Sequence, residues 1–307
     1  MRMFAISTKT FRDLMEFQPD LSARSTGPDT RLGTVLRVAF FVATVFVGLR
    51  LLVFLLFTVF GLVVAGTIGL FAAGLAANLL TLRIFDRRPL TDIGLKGGRI
   101  SVLNFALGLL VGVGAAALMM LAPILAGSGH LVEQRNPVFS WPNLLFYLVT
   151  LAIAAAGEEM IFRGYAFQLL IDKIGPFATV LPVAVIFGLT HASNPHSTQI
   201  GVLNTVLWGI VLGFAFLRSR DLWLPTGLHF GWNAVLPLFG VNLSGLNIEV
   251  TRFQYRWDLL PLWSGGDYGP EGGLLATIFG IGVFFALLKI PVKAQHAAIA
   301  QNLNESV

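Results

Sequence analysis

Residues 157–165 read Gly157-Glu158-Glu159-Met160-Ile161-Phe162-Arg163-Gly164-Tyr165, two adjacent carboxylates and a guanidinium inside an apolar run that extends from Leu144 to Ile171. A charged group at membrane depth costs at least ~2–3 kcal/mol on insertion scales, so it persists where it is paired or put to use. Glu159 and Arg163 lie four residues apart, on one face of a helix, and can pair there. Glu158 is rotated about 100° from Glu159, so the same arginine does not reach it as easily. One carboxylate is left free to work.

Working outward, composition decides the class. Of 307 residues, 55% are hydrophobic and 12% charged, with a mean hydropathy of +0.77. Soluble domains are about 25% charged. Leu51–Leu80 and Val102–Leu125 contain no Asp, Glu, Lys or Arg and are long enough to span a bilayer. The expected fold is all-α, a polytopic membrane helix bundle of about eight transmembrane helices; a barrel would show short alternating segments instead. With no cysteine in the chain, disulfides, thiolate metal sites and cysteine nucleophiles are excluded. The formal charge of +5 reads as basic cytoplasmic loops, not as a nucleic-acid surface.

Three regions follow: a cytoplasmic N-terminal tail (1–34) with a short amphipathic helix around Phe4–Phe17, a transmembrane bundle (35–290), and a cytoplasmic C-terminal tail (291–307). The apolar stretch Val35–Leu80 is too long for one span and right for two with a tight connection. Arg50, Gly61, Gly66 and Gly69 are rival markers of that connection. A basic loop, Arg83–Arg99, is followed by spans at Ser101–Leu125, Asn143–Ile171, Phe177–Thr190, Ile200–Leu217 and Leu222–Phe239. A polar loop, Asn242–Glu271, precedes a last span at Gly272–Ile290. With both termini inside, the cytoplasmic segments collect the basic loop, Lys173, Arg218, Arg220, Lys289, Lys293 and the N-terminal cations. The outer loops hold only Arg135, Arg252 and Arg256. The asymmetry has the sign that topology requires.

Two further polar constellations sit on later spans. Phe187 and His191, and then His229 and Asn233, are each four residues apart and so share a helical face. His130 and His196 fall in polar loops and read as solvated. The turn near Gly175-Pro176 makes the fourth and fifth spans antiparallel neighbours. Glu158 lies 17 residues before that turn and His191 16 after it, so both fall at one depth, roughly 25 Å away. How the seventh span joins them is not fixed by spacing.

A carboxylate shielded from bulk water can act as a general base toward a confined water. His191 could help to hold that water, and His229 with Asn233 could donate to an oxyanion. The chemistry would be hydrolysis of a peptide bond without a covalent intermediate. A competing plan uses Glu158, His191 and His229 as ligands of one zinc ion. His-Glu-x-x-His, Gly-x-Ser-x-Gly and Gly-x-Gly-Asp are absent, which argues against the better-marked zinc, serine and aspartyl plans. Two non-proteolytic readings also stay open: a scaffold whose polar groups fix helix packing, and a transporter with Glu158 as proton carrier.

Glu158-Glu159-x-x-x-Arg163, Phe187-x-x-x-His191 and His229-x-x-x-Asn233, in that order on successive helices, resemble the CAAX prenyl protease and bacteriocin-processing family of intramembrane proteases. The resemblance covers about 143–240, and Pro89–Leu95 is similar to a stretch the family often carries. It implies an eight-helix bundle in a prokaryotic plasma membrane, with Glu158 as water-activating base, His191 beside it, and His229 and Asn233 as oxyanion donors. Glu159, Arg163 and Phe187 would support them. It implies membrane lipid around the site, a peptide or lipidated protein as substrate, and for some members a membrane-protein partner or a role in bacteriocin immunity. No cofactor is favoured, although the family has been described both as glutamate and as zinc proteases. It also implies cytoplasmic access, whereas the charge pattern sets Glu158 and His191 nearer the outer face.

Overall fold

Gly61 turns the first long helix back on itself. The computed structural model describes residues 31–134, 139–295, 297 and 299, and the expected N-terminal amphipathic helix and most of the C-terminal tail lie outside them. Helix α1 (Arg31–Thr81) is interrupted by non-helical angles at Gly61 (φ 73°, ψ 172°), a left-handed backbone that glycine adopts at little cost. Its arms, 31–60 and 62–81, run antiparallel: a side chain at Gly48 would touch Ala73, and one at Gly69 would touch Leu49 and Val53. Arg37 closes the open end on Asp86 at 3.0 Å. These arms are the first two expected spans, and Gly61, among the rival markers, is their connection.

The remaining helices are α2 (Arg99–Leu125), α3 (Trp141–Phe162), α4 (Tyr165–Ile174), α5 (Pro176–Thr190), α6 (Gln199–Ser219), α7 (Trp223–Val235) and α8 (Leu274–Lys289). Among the described residues, four helical segments are long and apolar enough to cross a membrane. The chain is an integral membrane helix bundle. Its outward faces are apolar: Phe54, Val59, Leu110 and Leu145 are all exposed, as lipid-facing residues should be. One addition to the all-α expectation is a two-stranded antiparallel ribbon, β1 (Gly129–Glu133) with β2 (Phe253–Trp257), which covers one end of the bundle. Tyr255 of β2 donates to the Met120 carbonyl at 2.8 Å.

The expected fourth span, 143–171, is not one helix. It breaks between α3 and α4 at Arg163-Gly164. Asn78 of α1 fills the break: its Nδ2 donates to the Met160 carbonyl at 2.9 Å and its Oδ1 accepts from the Tyr165 N–H at 2.8 Å. In hydrocarbon, freed backbone groups need such a partner. The expected fourth and fifth spans are neighbours through α4, which packs on α5, and through Phe162 at the end of α3, whose ring meets Phe187 of α5 at 5.0 Å. The rest of α3 packs on α1 and α7.

Helix α7 is set by glycine. Gly108 and Gly112 of α2 face Gly227 and Gly231 of α7, in parallel. A Cβ on Gly112 would come within 2.8 Å of the Trp232 nitrogen, and one on Gly231 within 2.6 Å of the Leu109 carbonyl oxygen. Small residues let two backbones meet, and packing of this kind replaces the missing hydrophobic drive inside a membrane. The N-terminus of α7 is held by Asp221, fully buried, whose Oδ1 accepts from Trp223 and Leu224 N–H groups. Its Oδ2 accepts from Asn104 and Gln295. Residues 291–295, expected as the start of a free tail, are thus packed against α2 and the α6–α7 connection.

Candidate active site

The break after α3 exposes a polar cluster to the centre of the bundle. Glu159 and Arg163 are both fully buried and paired, Nη1 to Oε1 at 3.1 Å. Arg163 continues to the Gly209 carbonyl of α6 through Nη2 at 3.0 Å. Its guanidinium carbon lies 4.9 Å from the centre of the Phe187 ring, so a cation lies against an aromatic ring. The helical spacing of Glu159 and Arg163 foretold the pair; the Gly209 carbonyl was not foretold.

His229 of α7 joins this cluster. Its Nδ1 is 2.8 Å from Glu159 Oε1 and its Nε2 is 3.9 Å from Glu158 Oε2. A single imidazole therefore lies between the two carboxylates, each facing a different ring nitrogen. Glu158 Oε2 is buried without a hydrogen-bond partner among the described residues. The arginine serves Glu159, whose own Oε2 is likewise without a partner, and Glu158 faces only the imidazole. With His229 protonated, two carboxylates and two cations sum to zero, and the cluster buries no net charge.

Phe187 ties in the fifth span. Its ring meets Phe162 at 5.0 Å, His191 at 4.9 Å and His229 at 6.2 Å between centroids. His191 follows the last residue of α5, half-buried, with Nδ1 2.9 Å from the Phe187 carbonyl. That acceptor takes the Nδ1 proton and leaves Nε2 with a lone pair. Asn233 lies one turn beyond His229 on α7, half-buried. Glu158, Glu159, Arg163, Phe187 and His229 thus form one contacting group. His191 is attached to it through Phe187, and Asn233 is attached through its helix. His196 is exposed in its loop, and His130, also exposed, pairs with Asp258 at 2.9 Å. An apolar cavity of about 100 Å³ between α5, α6 and α8, lined by Pro176, Phe177, Val180, Ile210, Phe214 and Phe284, lies toward the other end of α5.

Among the described residues, no three His, Asp or Glu side chains are gathered in a way that could hold a metal ion. The donor types of Glu158, His191 and His229 would suit zinc, but as placed they do not form its site.

Residues 139–235 match the family model described as Type II CAAX prenyl endopeptidase Rce1-like. The likeness is confined to this segment. All seven residues singled out above lie inside it. A Bacillus subtilis (strain 168) protein named "Putative membrane peptidase YdiL" is 29% identical over 94 residues, 31% of this chain and 36% of the relative. The chain therefore spans about a third of the length of that curated relative. No solved structure matches. Neither α1, with the Asn78 clamp, nor the loop 242–273 belongs to the Rce1-like segment.

Proposed function

We propose that the chain is an intramembrane endopeptidase of the CAAX prenyl protease kind. The single observation that carries this reading is Glu158 Oε2, which has no protein donor on a side chain that, unlike the fully buried Glu159, retains some exposure, facing an imidazole whose other nitrogen is already engaged. Such an oxygen can accept a proton from a confined water. In the proposed step the water oxygen bonds to the peptide carbonyl carbon as Glu158 takes its proton. The carbon–nitrogen bond then breaks and the proton passes to the departing amine. His191 Nε2 is free to accept a hydrogen bond from the same water. Protonated His229 would donate from Nε2 to the developing oxyanion, and Asn233 Nδ2 would be a second donor. Glu159 holds the His229 ring in place, and Arg163 holds Glu159.

The substrate class that suits a site among lipid-facing helices is a membrane-bound peptide or lipidated protein. The charge asymmetry supports a cytoplasmic side for the basic loop and both termini, and the resemblance favours a prokaryotic plasma membrane. A zinc-dependent second reading is favoured by one observation: the Glu159 bond to His229 Nδ1 is also the support that a metal-binding imidazole uses.

The test is Glu158→Gln in purified full-length protein, assayed on a fluorogenic prenylated peptide and on membrane peptides without the lipid. Loss of cleavage with unchanged folding supports the proposal. Retained cleavage, or ion flux in liposomes that depends on Glu158, defeats it. Wild-type activity abolished by chelator and restored by added zinc would move the mechanism to the metal reading.

A further inference from the structure

The histidines of the proposed site stand on elements that barely touch. α5 packs on α4 and α6, with little direct contact to α7, and apart from the Phe187 ring between the two histidines their relative placement depends on neighbouring elements. We propose that Glu271 is a positioning residue that holds the turn after His191 and the helix carrying His229 in register. This deepens the protease reading and rests on it.

Glu271 follows the long loop after α7, outside the Rce1-like segment. It is buried, and its two oxygens serve two different elements. Oε1 accepts from Trp232 Nε1 at 3.0 Å, one turn beyond His229 on α7. Oε2 accepts both the N–H and the hydroxyl of Ser244, each at 2.7 Å. Ser244 has φ 47°, a left-handed conformation that a serine keeps only when its surroundings impose it. Its carbonyl accepts from Asn194 Nδ2 at 3.1 Å, and the Asn194 N–H in turn donates to the His191 carbonyl at 3.1 Å. An unbroken polar path therefore runs from His191 through Asn194, Ser244 and Glu271 to Trp232.

The middle of that path is rigid. The Glu271 carbonyl accepts from Asn204 Nδ2 at 2.8 Å, and Asn204 Oδ1 accepts from Thr277 at 2.6 Å. Trp232 is packed against Trp208, ring centres 4.5 Å apart. A carboxylate sunk this deeply is costly unless its donors are charged or numerous, and here three donors arrive from two elements. Glu271 does not touch the proposed reacting atoms. It acts through the two helices and turns it joins.

The test uses the full-length protein in lipid nanodiscs, and the absence of native cysteine makes labelling clean. Spin labels go on Ser193→Cys, in the turn after His191, and on Leu238→Cys, exposed just beyond α7. Glu271→Gln puts an amide N–H against one of the three donors. Ser244→Gly removes the hydroxyl but keeps the left-handed backbone, so it serves if Glu271→Gln does not fold. The expected result is a wider label–label distance distribution in both variants, with turnover lowered about 10- to 100-fold and KM nearly unchanged. An unchanged distance distribution overturns the proposal, and so does a loss of activity that merely follows a loss of thermal stability. If the wild type cleaves no peptide at all, the protease reading fails while the distances still decide the role of Glu271.

Discussion

Glu159 and His229, 70 residues apart in sequence, meet at 2.8 Å within the bundle. The oxygen that receives His229 Nδ1 also receives Arg163, and the far side of the imidazole faces Glu158. Two adjacent glutamates thereby acquire opposite duties. Each keeps one oxygen without a hydrogen-bond partner, but Glu159 is fully buried and holds Arg163 and His229, whereas the Glu158 side chain retains some exposure, so their substitutions should separate.

Glu158→Gln should abolish cleavage and leave the fold standing. Removing a general base costs about 10²- to 10⁴-fold in turnover. Because Glu158 Oε2 accepts no protein hydrogen bond and faces His229 only at 3.9 Å, the melting temperature by intrinsic fluorescence should fall far less than in Glu159→Gln. A fall in stability as large as the fall in rate would contradict this division.

Glu159→Gln should damage both. It leaves Arg163, fully buried, without its counter-charge, and breaking a buried pair from one side costs about 3–5 kcal/mol. The double variant Glu159→Gln, Arg163→Gln should recover part of the stability while activity stays lost, since His229 still lacks its anchor. Urea or thermal unfolding of the three proteins, run beside the cleavage assay, checks the order.

Gly112→Ala should destabilise the protein and reduce activity, because the new methyl would press on the α7 backbone at Leu228 and Trp232 and push α7 from α2. Gly114→Ala, with nothing within 4 Å of the added carbon, is the control on the same helix and should be neutral. Equal melting temperatures for the two would mean that the α2–α7 approach is not tight.

Asn78→Leu removes the donor to Met160 and the acceptor for the Tyr165 N–H. Each buried backbone group left alone costs about 1–3 kcal/mol. Hydrogen exchange should rise first at residues 160–168, around the helix break, before any global loosening. Exchange unchanged there would show that the break sustains itself.

Much of this could be read from the chain. The apolar segments of the bundle, the Glu159–Arg163 pair and the separation of Glu158 from that arginine all follow from local spacing and charge. The helix break at Gly164 does not, because the apolar run continues unbroken from Leu144 to Ile171 and the residue that fills the gap, Asn78, lies 87 positions from Tyr165. The His229–Glu159 contact was likewise hidden, since spacing along α7 cannot say which helix its histidine meets. The Gly108/Gly112 and Gly227/Gly231 pairs were visible as four-residue repeats, but a repeat does not name its partner. Glu271 closes a polar loop in the sequence, and nothing in its spacing says that it meets Trp232 and Ser244.

Helix α7 has 13 residues, ten of them buried. At 1.5 Å per residue it is about 20 Å long, well short of the ~30 Å hydrocarbon layer. Its sequence also carries His229 and Asn233. A segment of this kind has little capacity to stay in the bilayer by itself as the polypeptide leaves the ribosome. Its entry has to wait for α2, already threaded, to offer a bare glycine groove. The order of synthesis thus becomes part of how this protein assembles, with the histidine-bearing helix arriving as a guest of an earlier one.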